Sequence, residues 1–589
     1  MSDNLYRLLQ PALREYAGRP AWVCRGRGGR RVVAYRELHD AALTLAARMR
    51  EAGLRGGDTV GIVAPNGPEF TAAALAAWKI GAHIAPIHIG HSAFESAQQL
   101  KAVAPRLLLT HESVVDYAPK LAICMRADAA LAAAETARTD GDNGDAGGAA
   151  GTVTGDSAVD KTDTGAANTG ATDAAAANAA AADTVATDVA TDAATAAQLA
   201  ARIYTSGSTG TPKVVRLSHA NLASNLRAAC RIGDFSAADR FISLLPFSHA
   251  MGLLGNLILP LYNGAAIVSP RALAADEILA TLREENISVL IAVPRLFRAI
   301  MHGMERKFEA GGAAAALYRA VLKRVPPALR RKLNAPIRRQ LGGRINAWVS
   351  GGSHLDARIT RYFHALGLPL RQGYGLTETA PLVSMQDDFD AAPDSVGRPV
   401  DGVRIQIHRP DARGCGEVWV AGPNVMRGYE DAAQNAEAMR GEWFRTGDIG
   451  RVDAAGRLFL TGRSKRLIVT EAGKNVYPEE LETLLERDPA VAEAGVLEVG
   501  ARPVCVLAMV GAGGGGGDGG GDGAGAGDGD GGDDATVAAA RAAVAAFNRL
   551  VSSHNRIARI AVVGELPRTP LGKVALRELP AVFARYEVK

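Results

Sequence analysis

Residues 204–213 read YTSGSTGTPK. Small residues and two glycines let a backbone turn tightly enough for amides and hydroxyls to converge on one anion. Thr205, Ser206, Ser208 and Thr209 offer hydroxyls around Gly207 and Gly210, and Lys213 adds a positive charge; the set suits a triphosphate. A Ser/Gly/Thr linker has the same composition. The segment is not a Walker loop, because Lys213 follows Pro212 and no Gly-Lys-Ser/Thr occurs there. Residues 373–378, GYGLTE, come after the pair Gly351 and Gly352. There Tyr374, beside Gly375, could stack on a purine face, and Glu378 could hold magnesium, which prefers oxygen ligands shared with phosphates. A core tyrosine and a solvated glutamate would look the same. Residues 443–448, WFRTGD, bring Asp448, a natural acceptor for two ribose hydroxyls, and Arg463 follows as a neighbour for ribose or phosphate. A surface ion pair is the plainer use of such an arginine. Residues 567–573, PRTPLGK, put Lys573 on a glycine-containing loop, where a cation could meet developing phosphate charge or simply be solvated.

These residues need elements to carry them. The run 58–64, DTVGIVA, has the character of a buried strand, and 68–80, PEFTAAALAAWKI, that of a helix opened by Pro and Glu. Strand-like runs return at 241–245, 265–268 and 289–293 with helical segments between them, a pattern of layered α/β architecture with largely parallel sheets. From 403 onward the texture changes: VRIQIH, EVWVAG and RLFLTG alternate with period two, which predicts a smaller antiparallel β unit. Pro478, Glu479 and Glu480 then open a helix with acidic residues in its first turn.

Two stretches differ. Residues 126–198 are almost wholly Ala, Thr, Asp, Gly and Asn, and 511–535 are nearly pure Gly and Asp. Neither holds the apolar side chains needed to offset chain entropy, so both are expected as insertions without a packed core. A length of 589 residues implies more than one domain. The formal charge of +4 and the lack of a basic stripe exclude a nucleic-acid partner as the expectation. Five scattered cysteines without metal-ligand or redox spacing suit a reducing, cytoplasmic setting, and MSDNLYRLLQ has no secretion-signal pattern. The most apolar stretch, 251–268, is broken by Asn256, Pro260, Tyr262, Asn263 and Gly264, which predicts a buried helix and strand rather than a membrane span.

Taken in order, the four segments resemble the adenylate-forming superfamily of acyl-CoA synthetases, nonribosomal peptide adenylation domains and luciferases. Further matches are SLLPFSHAMG at 243–252, EVWVAGPNVMRGY at 417–429 and GRSKRLIVTEAGKNVYPEELE at 462–482. The resemblance covers nearly the whole chain outside the insertions. It implies an α/β fold: a large N-terminal adenylation domain of layered sheets plus a small β unit over 1–462, and a small mobile α+β domain over 463–589. It also implies two half-reactions. A carboxylate attacks the α-phosphate of ATP, giving acyl-adenylate and pyrophosphate; a thiol then attacks the acyl carbon and AMP leaves.

Carried over by motif, 205–213 would hold the β- and γ-phosphates, Tyr374 would stack on adenine, and Thr377 would contact the α-phosphate. Glu378 would hold magnesium, and Asp448 with Arg463 the ribose. Lys573 would bridge the carboxylate and α-phosphate, His249 would sit beside the reacting carboxylate, and Lys465 would be the hinge. Gly473 and Lys474 would line a pantetheine tunnel. The chain departs from the pattern at Leu571, where Ser or Thr usually precedes the glycine, and at His354, where Pro is commoner. No acidic residue follows Phe247, so an amino acid substrate is not expected. Within the family, NVYPEELE and the SHNRI segment at 553–557 look most like bacterial fatty acyl-CoA synthetases. The implied substrates are a medium- or long-chain fatty acid, ATP and coenzyme A. An aryl acid, or loading of an acyl carrier protein, stands behind these, and a degenerate binding protein last. A fatty substrate also leaves room for peripheral membrane contact without an anchor.

Overall fold

The structure, a computed structural model, describes residues 4–26, 29–90, 93–110, 124–126, 198–205, 213–310, 333–342, 344–368, 370–386, 392–470, 474–510, 534–568 and 574–588. It divides into two compact units: Met1–Ile291 with Arg339–Ile345 and Met426–Glu430, and Ala292–Arg338 with Asn346–Val425 and Asp431–Lys589.

In the first unit, short runs of branched apolar residues become strands buried on both faces, as parallel sheets require. Thr59–Val63, His83–Pro86 and Leu107–Thr110 are buried throughout. They lie within a six-stranded sheet ordered Cys124–Arg126, Leu107–Thr110, Thr59–Val63, His83–Pro86, Leu199–Thr205, Lys213–Ser218. Its pairs are parallel except the last, which is an antiparallel hairpin. A second sheet in this unit runs Val289–Ala292, Arg240–Ile242, Ala266–Ser269, Pro20–Gly26, Gly29–Ala34, again parallel but for its final hairpin.

The expected helix is Pro68–Lys79, with Pro at its first turn, Glu69 near its N-terminus and Lys79 in its last turn. It is buried on nearly every side. Two buried indoles are satisfied here: the neighbouring Trp22 Nε1 donates to Thr71 Oγ1 of the helix at 3.1 Å, and the helix's own Trp78 Nε1 donates to the Ala200 carbonyl at 2.9 Å. The apolar tract at 251–268 is the helix and strand its polar interruptions predicted. A helical segment over 250–262 contains a π turn at Leu253–Ile258, and the strand Ala266–Ser269 follows. Among the described residues no helix is long and apolar enough to cross a membrane.

One strand is shorter than expected. The run 241–245 pairs only as Arg240–Ile242. The Ser243 N–H still donates to the Val268 carbonyl at 2.8 Å, but Pro246 has no N–H to extend the ladder, and the Leu245 carbonyl and Phe247 N–H hydrogen-bond instead to the side chain of Asn66.

In the second unit Ala347–Ser350 and Leu370–Gly375 pair in parallel, and Leu382–Met385 and Arg398–Pro399 continue antiparallel. The alternating segments form the anticipated antiparallel sheet: Arg404–His408, Gly416–Ala421, Trp443–Val452 and Met439–Arg440 in order, with Leu458–Arg463 pairing with the later residues of Trp443–Val452. Farther on, Val491–Val499, Arg502–Met509 and Ile560–Val563 make a three-stranded sheet. Helices Pro478–Leu485 and Asp534–Leu550 pack on it through Leu481, Leu485, Leu507 and Phe547. Of the two low-complexity stretches, 127–197 and 511–533 lie outside the described residues; Asp534 and Ala535 already belong to a helix.

Candidate active site

The loop-forming segment 204–213 turns out to join two strands. Leu199–Thr205 and Lys213–Ser218 are antiparallel partners, with Thr205 opposite Lys213 in register. The intervening Ser206, Gly207, Ser208, Thr209 and Gly210 lie outside the described residues. Lys213 is half-buried, its Nζ 4.5 Å from the centroid of the Tyr429 ring. That geometry keeps the ammonium at the mouth of the hairpin by cation–π attraction rather than free in water.

In the second unit, three residues expected from separate segments meet directly. Tyr374, near the end of the strand Leu370–Gly375, donates its hydroxyl to Asp448 Oδ2 at 2.6 Å. Arg463 Nε lies 2.9 Å from Asp448 Oδ1. The second contact follows from sheet register, since Asp448 and Arg463 are cross-strand partners on Trp443–Val452 and Leu458–Arg463. Asp448 is 5% exposed and Tyr374 8%. Burial pushes the Asp448 carboxyl above the usual carboxylate range, with Arg463 and the Tyr374 hydroxyl pulling the other way. Burial likewise carries the Tyr374 phenol well above its ordinary value, and the neighbouring carboxylate adds to it. Arg463 is held more firmly protonated by Asp448.

Thr446, which sequence reading passed over, supports this group. Its hydroxyl donates to the Val418 carbonyl at 2.7 Å and accepts from the Asp448 N–H at 3.0 Å, bracing the strand just before the carboxylate.

Thr377 and Glu378 sit half-buried on the 3-10 turn Thr377–Thr379. The turn is fastened by Thr379, whose Oγ1 accepts from the Leu376 N–H at 3.0 Å, and by Asn424, whose Nδ2 donates to the carbonyls of Thr379 at 3.2 Å and Leu382 at 2.9 Å. Asn424 was legible only as part of a motif match, because nothing local marks an asparagine as the clasp of a turn 45 residues away. Gly375 has a steric reason: a Cβ there would lie 1.6 Å from the Pro381 carbonyl oxygen. Gly351 N–H donates to the Ala292 carbonyl at 3.2 Å, and Gly352 follows in the left-handed region at φ +83°.

His249 caps the short helix Ala250–Gly252 in the first unit, with its ring 6.3 Å from that of His88. Lys465 is exposed on the turn Ser464–Arg466. Lys474 is exposed as well, its N–H donating to Thr470 Oγ1 at 3.1 Å, whereas Gly473 lies outside the described residues. Lys573 and its Leu571-Gly572 neighbours are also outside them, and His354 is exposed on the segment after Gly352.

The profile of the family described as "AMP-binding enzyme" matches residues 9–430. A long-chain-fatty-acid–CoA ligase of Mycobacterium bovis is 31% identical over 316 residues, covering 50% of this chain and 51% of the relative. An indoleacetate–CoA ligase of Aromatoleum aromaticum is 30% identical over 302 residues, covering 50% and 53%. The chain thus spans about half the length of the curated relatives it matches. Among solved structures, an O-succinylbenzoate coenzyme A synthetase of Bacillus subtilis in complex with AMP is similar at a TM-score of 0.70 and 20% identity, covering 97% of both chains. ATP-bound MatB of Rhodopseudomonas palustris is similar at 0.71 and 22%, covering 99% of both. At these identities the structures speak for the fold alone.

Proposed function

The chain belongs to the AMP-binding enzyme family, and from that premise we propose that it activates a medium- or long-chain fatty acid with ATP and transfers the acyl group to coenzyme A. The observation that carries the reading is the buried Asp448 carboxylate held between Tyr374 and Arg463. A carboxylate has about four lone-pair sites, and these two partners take one on each oxygen. One site per oxygen remains, which matches the two hydroxyls of a ribose.

In this reading residues 205–213 bind the β- and γ-phosphates. The Tyr374 ring, its orientation set by the hydroxyl bond to Asp448, meets the adenine face. The Thr377 hydroxyl holds the α-phosphate. A fatty carboxylate oxygen beside His249 attacks the α-phosphorus; the bond from that phosphorus to the bridging oxygen breaks, and pyrophosphate leaves. Lys573 stabilises the crowded negative charge of that step. The C-terminal domain, which we begin at 463, the last residue of the strand Leu458–Arg463, then turns about Lys465. The coenzyme A thiolate, guided past Gly473 and Lys474, attacks the acyl carbon, and AMP departs with the carboxyl-derived oxygen.

Glu378, on the same turn as Thr377, offers a carboxylate, the donor chemistry that suits magnesium shared with substrate phosphates. Among the described residues no group of three or more His, Cys, Asp or Glu is gathered that could hold a metal ion. The ion, when bound, would neutralise phosphate charge. A cytoplasmic site of action belongs to the same reading, supported by the free thiols of Cys24, Cys230, Cys415 and Cys505. The indoleacetate relative supports an aromatic acid as the second reading of the substrate. The Gly473-Lys474 pair supports coenzyme A over a carrier protein as acceptor.

The test is acid-dependent pyrophosphate release from ATP over a panel of fatty, aryl and amino acids, with and without coenzyme A. Fatty acids should drive release and acyl-CoA should form. Adenylate that accumulates while coenzyme A is ignored would point to a carrier protein, and a flat response from folded protein would overturn the proposal.

A further inference from the structure

We propose that Asn66 is a positioning residue, a clamp between the carboxyl edges of two sheets that sets the place of His249; the kinetic part rests on the reading of His249 given above. Asn66 stands between the strand Thr59–Val63 of the six-stranded sheet and the helix Pro68–Lys79. The loop 243–249 leaves the end of Arg240–Ile242 in the other sheet. Sheets of parallel strands place their ligands outside these carboxyl ends.

The Asn66 amide spends itself on alternate residues of that one loop. Its Nδ2 donates to Ser243 Oγ at 2.9 Å and to the Leu245 carbonyl at 2.7 Å, and its Oδ1 accepts from the Phe247 N–H at 3.0 Å. The Leu245 carbonyl and Phe247 N–H, both backbone groups, would otherwise look for partners in a strand that Pro246 prevents from continuing. Farther along, the Phe247 ring is buried against the rings of Phe70 and Trp22 at centroid distances of 5.2 and 6.1 Å.

The other end of the loop is fixed too. His249 N–H donates to the Pro246 carbonyl at 3.1 Å, and the His249 carbonyl accepts from the Leu253 N–H at 2.8 Å, at the start of the π turn. Gly252 approaches so closely that a Cβ there would lie 2.1 Å from the Pro246 carbonyl oxygen. His249 is therefore held between a side-chain clamp and a helix. Its ring is turned towards His88, which lies two residues beyond the strand His83–Pro86, the neighbour of Thr59–Val63. The clamp decides how far the loop of one sheet reaches towards the strand ends of the other.

The test uses the full chain with Asn66→Ala, measuring acid-dependent pyrophosphate release and amide hydrogen exchange together. Exchange at Phe247 and His249 should quicken while the strand Thr59–Val63 keeps its protection. A shift of the loop by about an ångström should lower kcat/KM for the acid about a hundredfold, with the KM for ATP changed by no more than about twofold. A purely structural role would lower all parameters together through loss of folded protein. Ser243→Ala, which removes one of the three bonds, keeps the question open to measurement if Asn66→Ala does not fold; it should cost a severalfold loss in the same parameter. Unchanged exchange in the loop, or quickened exchange with unchanged acid kinetics, overturns the clamp. His249→Ala separates two failures: if it retains wild-type kinetics, the role given to His249 is what fails. If it loses activity while Asn66→Ala does not, the clamp is what fails.

Discussion

Discrimination between ATP and its deoxy analogues tests the reading of Asp448 most directly. The structure leaves one acceptor site on each carboxylate oxygen, since Tyr374 occupies one at 2.6 Å and Arg463 another at 2.9 Å. At 5% exposure the carboxylate has little competing water. A hydrogen bond to a charged group contributes about 1.5–3 kcal/mol, and since about 1.4 kcal/mol is a factor of ten, removing one ribose hydroxyl should lower kcat/KM for the nucleotide about 10- to 150-fold. The perturbation is therefore double: 2′-deoxy-ATP and 3′-deoxy-ATP in place of ATP, each with the wild type and with Asp448→Ala. In steady-state pyrophosphate release, the wild type should show that penalty for both analogues. In Asp448→Ala the three nucleotides should become nearly equivalent, because the acceptor that told them apart is gone. Equal penalties in variant and wild type, from protein shown to be folded, would refute the assignment of the ribose to Asp448. A penalty for one hydroxyl only would mean that one oxygen is fully engaged by its protein partner.

Three further outcomes are expected. Lys573→Ala should reduce pyrophosphate release by more than about a hundredfold yet still convert supplied acyl-adenylate to acyl-CoA; equal loss in both half-reactions would remove the lysine from the first transition state. Gly375→Ala should destabilise the chain by about 1–3 kcal/mol and lower activity, because its Cβ would collide with the Pro381 carbonyl; an unshifted thermal midpoint would contradict this. Glu482, whose Oε1 lies 2.5 Å from Arg466 and accepts from the Val496 N–H at 2.8 Å, is pushed up to about 7 by burial from an ordinary 4.5. A carboxyl with a raised folded pKa contributes its full stability below the unfolded value and loses it as pH rises through the folded one. Thermal stability should thus fall between pH 5 and pH 8 by up to about 3 kcal/mol from this group. Glu482→Gln should flatten that part of the profile, and an identical pH dependence in the variant would rule it out.

Much of the layered fold was legible because burial leaves a periodic trace. The run DTVGIVA is mostly apolar since both faces of a parallel strand are covered, and Thr59–Val63 is a buried strand. EVWVA alternates because one face of its antiparallel sheet is less covered, and the strand Gly416–Ala421 follows that pattern. Pro68 and Glu69 announced a helix that the structure contains. Residue chemistry was equally readable: the chain itself names a cation after a Ser/Thr/Gly run, a tyrosine between glycines, and an aspartate shortly before an arginine.

Local pattern could not say which residues would touch. Tyr374 and Asp448 are 74 residues apart, and their bond depends on two different sheets in the second unit. The segment WFRTGD read as a motif; only pairing with neighbours on both sides made Trp443–Val452 an interior strand and set Asp448 opposite Arg463. Likewise 241–245 has the composition of a strand, but its last residues leave the ladder because Pro246 cannot donate and Asn66, some 177 positions away in sequence, supplies other partners. Periodicity records that a face is buried and carries no label for what buries it. By itself the sequence determined the elements and the chemical groups this protein can use. Strand order, register and the long-range bonds that close between distant loops decided which of those groups share a site.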